Sequence, residues 1–150
     1  LKKNISIIKY ESAYAEQTVL MWRASMEEAI GVKSLHSVAD HIHFLNVILT
    51  ADNTVLLALN RSSDTVVGLM VCDGSNLNQL YIHLEYQQQG IGLELLNRAK
   101  AMSNGVLTLH TFEINQKAQQ FYEKHGFTIM SKSSDNEEKM PAFCYKWTQK

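Results

Sequence analysis

The stretch Leu84-Glu85-Tyr86-Gln87-Gln88-Gln89-Gly90-Ile91-Gly92-Leu93 constrains this chain most, because an apolar strand-like run enters it and an amphipathic helical run leaves it. Two glycines one residue apart let the backbone adopt conformations closed to other residues and come close to a ligand. The helix that follows offers free N–H groups and the positive end of its dipole. A diphosphate is the anion that suits such a nest. The spacing Gln87-x-x-Gly90-x-Gly92 is neither a P-loop, which ends in Gly-Lys-Ser/Thr, nor the dinucleotide fingerprint with its three glycines.

A second segment, Asn115-Gln116-Lys117-Ala118-Gln119-Gln120-Phe121-Tyr122-Glu123-Lys124-His125-Gly126-Phe127, reads as a complete helix. Asn115 is its N-cap, and Ala118, Phe121, Tyr122 and His125 form one stripe at three- and four-residue spacing. Gly126 and Phe127 are the left-handed stop and its apolar partner. The two segments, in this order and separation, resemble the GNAT superfamily of N-acetyltransferases, which bind acetyl-coenzyme A. Leu80-Tyr81-Ile82-His83 resembles the family's fourth strand and Val106 to Thr111 its fifth. The run from Pro141 to Trp147 resembles the last strand of many bacterial members. Leu84 stands where members commonly have proline, and Gln87 where many have arginine.

The rest of the chain agrees with one domain over residues 1–150. After the strand Ile5 to Ile8, helical periodicity runs from Ser12 through Tyr14, Val19, Trp22, Met26 and Ile30 to Gly31. A second helix is signalled by Ser37 as N-cap and Asp40 three positions on, with the stripe Val38, Ile42, Leu45 and Leu49. Polar turns between β-branched runs from Val55 to Leu84 predict an antiparallel meander. The helix after Gly90 carries Ile91, Leu95, Leu96, Ala99 and Met102 on one face, and the polar segment Ser131 to Lys139 reads as a mobile loop before the last strand. The resulting order is βααβββαβαββ. The expected fold class is α+β, the GNAT fold: a single mixed, mostly antiparallel twisted sheet of about seven strands flanked by four helices.

Composition removes several classes of partner. A net charge of −1 without a basic run argues against nucleic acid. No apolar run approaches a membrane span, and no secretory leader is visible behind Leu1-Lys2-Lys3-Asn4. Cys72 and Cys144, both inside apolar runs, read as buried thiols of a reducing compartment, so a cytoplasmic protein is expected. His36, His41 and His43 suggest no metal, because His41 and His43 are two apart on a helix and do not face each other.

The resemblance implies an enzyme that moves the acetyl group of acetyl-coenzyme A to a primary amine of a small molecule or protein, by direct attack in a ternary complex. Leu80, Tyr81, Ile82, the turn Gln87, Gln88, Gln89, Gly90, Ile91, Gly92 and Leu93, together with Asn115 and Tyr122, would bind the coenzyme. Tyr122, whose phenol is protonated at neutral pH, would protonate the departing thiolate. An alkyl ammonium of pKa ~10.4 is only about one part in a few thousand neutral at pH 7, so a base is also needed. His110, at the end of the fifth strand, is the first candidate, since imidazole titrates in the useful range. His83 is the second, and Glu27 or Glu28 the third. Trp22, Arg23, Met26 and Glu27 would border the acceptor by analogy with the family, and Glu137 and Glu138 suit a cationic amine. The competing reading is a catalytically silent module that binds coenzyme A or acyl-coenzyme A. A homodimer is compatible with the family; the sequence decides neither this nor the acceptor.

Overall fold

The order of elements follows the hydrophobic periodicity. The computed structural model describes residues 1–150. Strand β1 (Ile5–Lys9) leads through a 3₁₀ turn at Ser12–Tyr14 into helix α1 (Ala15–Ile30), which stops at Gly31. Helix α2 (Val38–His43) starts at Ser37, whose hydroxyl accepts the Asp40 N–H at 3.1 Å. It then widens into a π-helical run, Phe44–Leu49, and ends in one further turn, α3 (Thr50–Asp52). The meander is β2 (Thr54–Asn60), β3 (Thr65–Cys72) and β4 (Leu77–Ile82). Helix α4 (Ile91–Met102), β5 (Val106–Phe112), α5 (Gln116–Lys124), β6 (Thr128–Ser133) and β7 (Ala142–Thr148) complete the chain.

The seven strands and their order are those expected, but the sheet is divided into two antiparallel ladders, β1-β2-β3-β4 and β5-β7-β6. A single parallel bridge, Asn76 with Thr108, joins them. The physical reason is a bulge in β4. The register with β3 passes from Val71↔Gln79 to Cys72↔Leu77, leaving Asn78 as an extra residue that bends the strand. Beyond the bridge β4 and β5 therefore diverge, and the edge of β4 facing β5 stays unpaired.

Each face of the sheet carries its own apolar layer. On one face Leu95, Leu96 and Ala99 of α4 and Tyr122 of α5 pack with Leu107, Leu109, Phe127 and Tyr145. On the other, Val19 and Trp22 of α1 and Leu45 and Leu49 pack on Leu57, Leu69 and Val71. Leu95 and Leu96 are fully buried, and truncating either to Ala costs about 2–5 kcal/mol of stability.

Three local expectations need correction. Met102, at the last turn of α4, stays exposed rather than joining the stripe. Ser131–Ser133 belong to β6, and the loop after them is tied by its own hydrogen bonds: Asn136 exchanges two with Met140 and accepts the Lys139 N–H. Cys144 is only half-buried, although Cys72 is buried as expected.

Candidate active site

The sequence of the glycine turn dictates an uncommon concentration of free donors. A 3₁₀ turn at Leu84–Tyr86 delivers the chain to Gln88 and Gly90, both in the left-handed region at φ 61° and 87°. Gly90 then caps α4, and the first N–H to be taken up within the helix is that of Glu94, donated to Gly90 at 3.0 Å. No backbone N–H from Gln87 to Leu93 has an acceptor in the protein. A Cβ at Gly90 would meet nothing within 4 Å, so the glycine is there for its backbone conformation and the approach to it is open. Such an array suits a diphosphate.

The turn opens onto the free edge of β4. His83 donates its N–H to Val67 at 2.9 Å, so by strand alternation Leu80 and Ile82 point theirs into the gap facing β5. The Ile82 carbonyl on that edge accepts from the Ser25 hydroxyl at 2.9 Å and from the Gln87 amide at 3.2 Å. Ser25 is buried on α1 and was missed in the sequence; a polar residue interrupting the apolar face of that helix is the only sign of it.

Helix α5 closes the gap from the side of α4. Asn115 caps it by accepting the Ala118 N–H at 3.2 Å through Oδ1, which leaves its Nδ2 with no protein partner. At the other end Phe127 and Gly126 donate to the carbonyls of Tyr122 and Glu123, and the Phe127 ring lies 5.5 Å from that of Tyr122. Tyr122 is 7% exposed, between Phe121, Phe127 and Tyr145. Its hydroxyl makes no hydrogen bond within the protein, yet it is not among the sealed unpartnered polar atoms. Burial, with a smaller contribution from Tyr81, pushes its pKa well above the usual phenol, so it carries its proton at neutral pH.

The base candidates separate. His110 is exposed and directly opposite Cys144 in the β5–β7 ladder, on the face away from Leu109, Tyr145 and Tyr122. Continuing the bridge register two residues along each strand brings it level with Asn78, where the ladders part. It lines a cavity of about 390 Å³ with Cys144, Ser131, Asp135 and Asn136. His83 instead acts locally: its Nδ1 accepts the Glu85 N–H at 3.1 Å, and its ring meets the edge of Tyr86. Glu27 accepts the Ser34 N–H at 3.3 Å.

On the acceptor side Tyr81 turns toward α1 and α2, its ring 6.1 Å from that of Trp22. Burial, then the Glu138 carboxylate, raises its pKa to about 12. Trp22 is core rather than lining, 4% exposed, with its Nε1 unpartnered. His41 packs 4.2 Å from it, and burial with the Arg23 charge lowers the His41 pKa to about 4. Arg23 donates to the His36 carbonyl at 2.7 Å, Met26 packs on the α1 layer, and His36 is paired with Glu137. The three histidines thus have separate roles.

A splayed strand pair, an N–H-rich turn after the first strand and a buried tyrosine on the helix after the second define the arrangement, and known proteins share the fold that carries it. The family model described as "Acetyltransferase (GNAT) domain" matches residues 51–129. The peptidyl-lysine N-acetyltransferase YjaB of Salmonella typhimurium is 27% identical over 129 residues, covering 86% of this chain and 87% of that protein. The solution structure of apo YjaB from Escherichia coli superposes with a TM-score of 0.76 at 24% identity, over 97% of this chain and 99% of that one. The PaiA N-acetyltransferase of Thermoplasma acidophilum, solved with coenzyme A, gives 0.72 at 22% identity, over 96% and 98%. The matched segment holds the glycine turn, the diverging strands and Tyr122, and with it the chain belongs to the acetyltransferase (GNAT) domain family.

Proposed function

We propose that this protein transfers the acetyl group of acetyl-coenzyme A to a primary amine by direct attack within a ternary complex. The observation that carries this reading is the continuity of three donor sets: the free N–H groups of Gln87 to Leu93, those of Leu80 and Ile82 on the open edge of β4, and the unpartnered Tyr122 hydroxyl. The first set receives the diphosphate. The second pairs with the amide-rich arm that follows it and offers a donor to the oxyanion as the amine adds to the thioester carbonyl. Asn115 Nδ2 is free to bond the same arm.

The acceptor enters protonated and must lose a proton before its nitrogen can attack. His110, at the parting of the strands and on the cavity-lined face, is the group we assign to take it. Nitrogen attack forms the C–N bond, the positively charged nitrogen loses its second proton to solvent, the oxyanion re-forms the carbonyl as the C–S bond breaks, and Tyr122 gives its proton to the departing sulfur, which leaves as the neutral thiol. No cysteine is called on in this scheme, and Cys72 is sealed in the core.

The Salmonella relative is a peptidyl-lysine N-acetyltransferase, which favours a lysine side chain as one acceptor to be tried. Release of free thiol from acetyl-coenzyme A tests the reading, with lysine peptides, polyamines, aminoglycosides and amino acids as acceptors. Turnover with at least one amine is expected. Binding of acetyl-coenzyme A without thiol release for any acceptor would instead establish a silent binding module.

A further inference from the structure

The register of the β5-β7-β6 ladder builds the floor of the cavity that holds His110. His110, Cys144 and Ser131 stand directly opposite one another across the three strands, and Phe112, Ala142 and Ser133 form the next row on the same face. All six line the cavity of about 390 Å³, together with Asp135 and Asn136 of the β6–β7 loop. That is the size of a small-molecule site. The middle of the second row is Ala142, whose single methyl leaves free the space a larger side chain would take.

What this cavity offers a ligand is chiefly hydrogen-bond acceptors. Asp135 donates its N–H to the Ser133 hydroxyl at 2.9 Å, which ties it to the strand end, but its carboxylate has neither an ion pair nor a hydrogen bond in the protein. Asn136 spends both ends of its amide on Met140, at 2.7 and 3.1 Å, and so braces the loop instead of binding a ligand. No lysine or arginine is among the lining residues. Lys132 points to the opposite face, where it pairs with Glu113 and lies over the Phe143 ring. Lys146 is on the same face as Cys144, but one row beyond His110 and away from the loop. The floor therefore runs from an imidazole at the β5 side to an unpaired carboxylate at the β6 side. A second cavity, about 290 Å³ between α1 and the end of β4, is different: Leu20, Met21, Ala24 and Leu84 wall it, and it holds no carboxylate.

We propose that the His110 cavity is the acceptor site and that it selects a small, flexible amine carrying a second positive charge, which Asp135 holds while His110 faces the reacting nitrogen. The inference rests on the acetyltransferase reading above and deepens it by naming the acceptor class. The outer strands of the ladder are two strand spacings apart, roughly 10 Å, so the two charges of the acceptor have to be joined by a chain long enough to cross the floor. Ala142 leaves the room in which that chain lies. The reacting nitrogen becomes neutral when His110 takes its proton, and the second nitrogen keeps its charge throughout and stays on the carboxylate.

The test measures thiol release from acetyl-coenzyme A with straight-chain diamines of increasing length, each beside the monoamine of equal length, in the parent protein, Asp135→Asn and Ala142→Leu. In the parent, diamines long enough to cross the floor should be preferred about 5- to 10-fold in kcat/KM, through a lower KM, beyond the statistical gain from having two amines. Asp135→Asn should reduce the preference to that statistical gain while acetyl-coenzyme A affinity holds within a few-fold. Ala142→Leu should raise KM about tenfold or more for every acceptor, with acetyl-coenzyme A still raising the melting temperature, which also shows that the variant is folded. Asp135 is exposed, so Asp135→Asn decides the matter even where Ala142→Leu does not fold. A parent that acetylates diamines and monoamines alike at every length would overturn this inference alone. So would an Asp135→Asn variant that keeps the preference, or a folded Ala142→Leu variant with parental KM. If the parent releases no thiol with any amine, the acetyltransferase reading fails first, and this inference with it.

Discussion

The two halves of the site are built in different ways. The proposed donor half is continuous in sequence: β4, the glycine turn and α4, then β5 and α5, and what it offers a ligand is mainly free backbone N–H groups. The proposed acceptor half draws on α1, the α1–α2 connection, β5 and the β6–β7 loop, and offers side chains from residues more than a hundred positions apart, as in the His36–Glu137 pair. Backbone donors bind any ligand of the right phosphate geometry, so in the proposed reaction they would fix the coenzyme and leave the acceptor open. Side chains brought together by the fold can change one at a time, so the acceptor half is where specificity would be set.

The largest effect that could break this division is expected at Tyr122, which belongs to the donor half by position but is proposed to act on the reaction. Tyr122→Phe keeps the ring between Phe121, Phe127 and Tyr145 and sacrifices no protein hydrogen bond, because the hydroxyl has none. Turnover should fall roughly 10- to 1,000-fold while acetyl-coenzyme A affinity holds within a few-fold, read by steady-state kinetics and calorimetry. The loss should shrink with a donor whose thiol leaves more readily. Unimpaired chemistry would return Tyr122 to the core.

On the acceptor half, His110→Ala should cost about tenfold or more at neutral pH and recover in part at alkaline pH, where the amine is already neutral. His83→Ala should spare the pH profile and instead cost about 1 kcal/mol of stability through the lost cap on the Glu85 N–H. Matching profiles for His110→Ala and the parent would move the first proton to water.

At the glycine turn, Gly90→Val should abolish the melting-temperature rise produced by acetyl-coenzyme A. The apo protein should lose only a few degrees, because a left-handed β-branched residue costs about 1–2 kcal/mol. A preserved ligand shift would remove the turn from the diphosphate site.

The smallest effect sharpens the acceptor half. The folded pKa of His41 is lowered to about 4, below the ordinary value of 6.5, so the unfolded chain binds more protons between those pH values. Its contribution to stability is therefore complete above pH 6.5 and is lost as pH falls toward 4. His41→Gln should flatten the decline of melting temperature across that window. An unchanged slope would show that His41 does not titrate against the Trp22 face.

How far the sequence could be read follows the same division. Both glycine-turn donors and the α5 helix were legible because each is a local signal: a positive-φ residue at Gly90, a cap at Asn115, a stop at Gly126. The places of His83 and Glu27 were not, since whether such a group serves catalysis or a hydrogen bond to a neighbouring N–H depends on backbone geometry. Trp22 illustrates the limit on the acceptor side: its place in the α1 periodicity is correct, but only packing against Tyr81 and His41 makes it a wall rather than a contact surface.

By itself, then, the sequence determined the order of strands and helices, the N–H-rich turn and the stripe that seats Tyr122, because hydrophobic period, capping and backbone conformation act over a few residues. Only the tertiary structure decided that the sheet divides at the Asn78 bulge, that Ser25 holds the Ile82 carbonyl, and that Glu137 takes His36. These depend on which distant segments the core brings within reach, and on the hydration each polar group gives up there, which no short window of sequence contains.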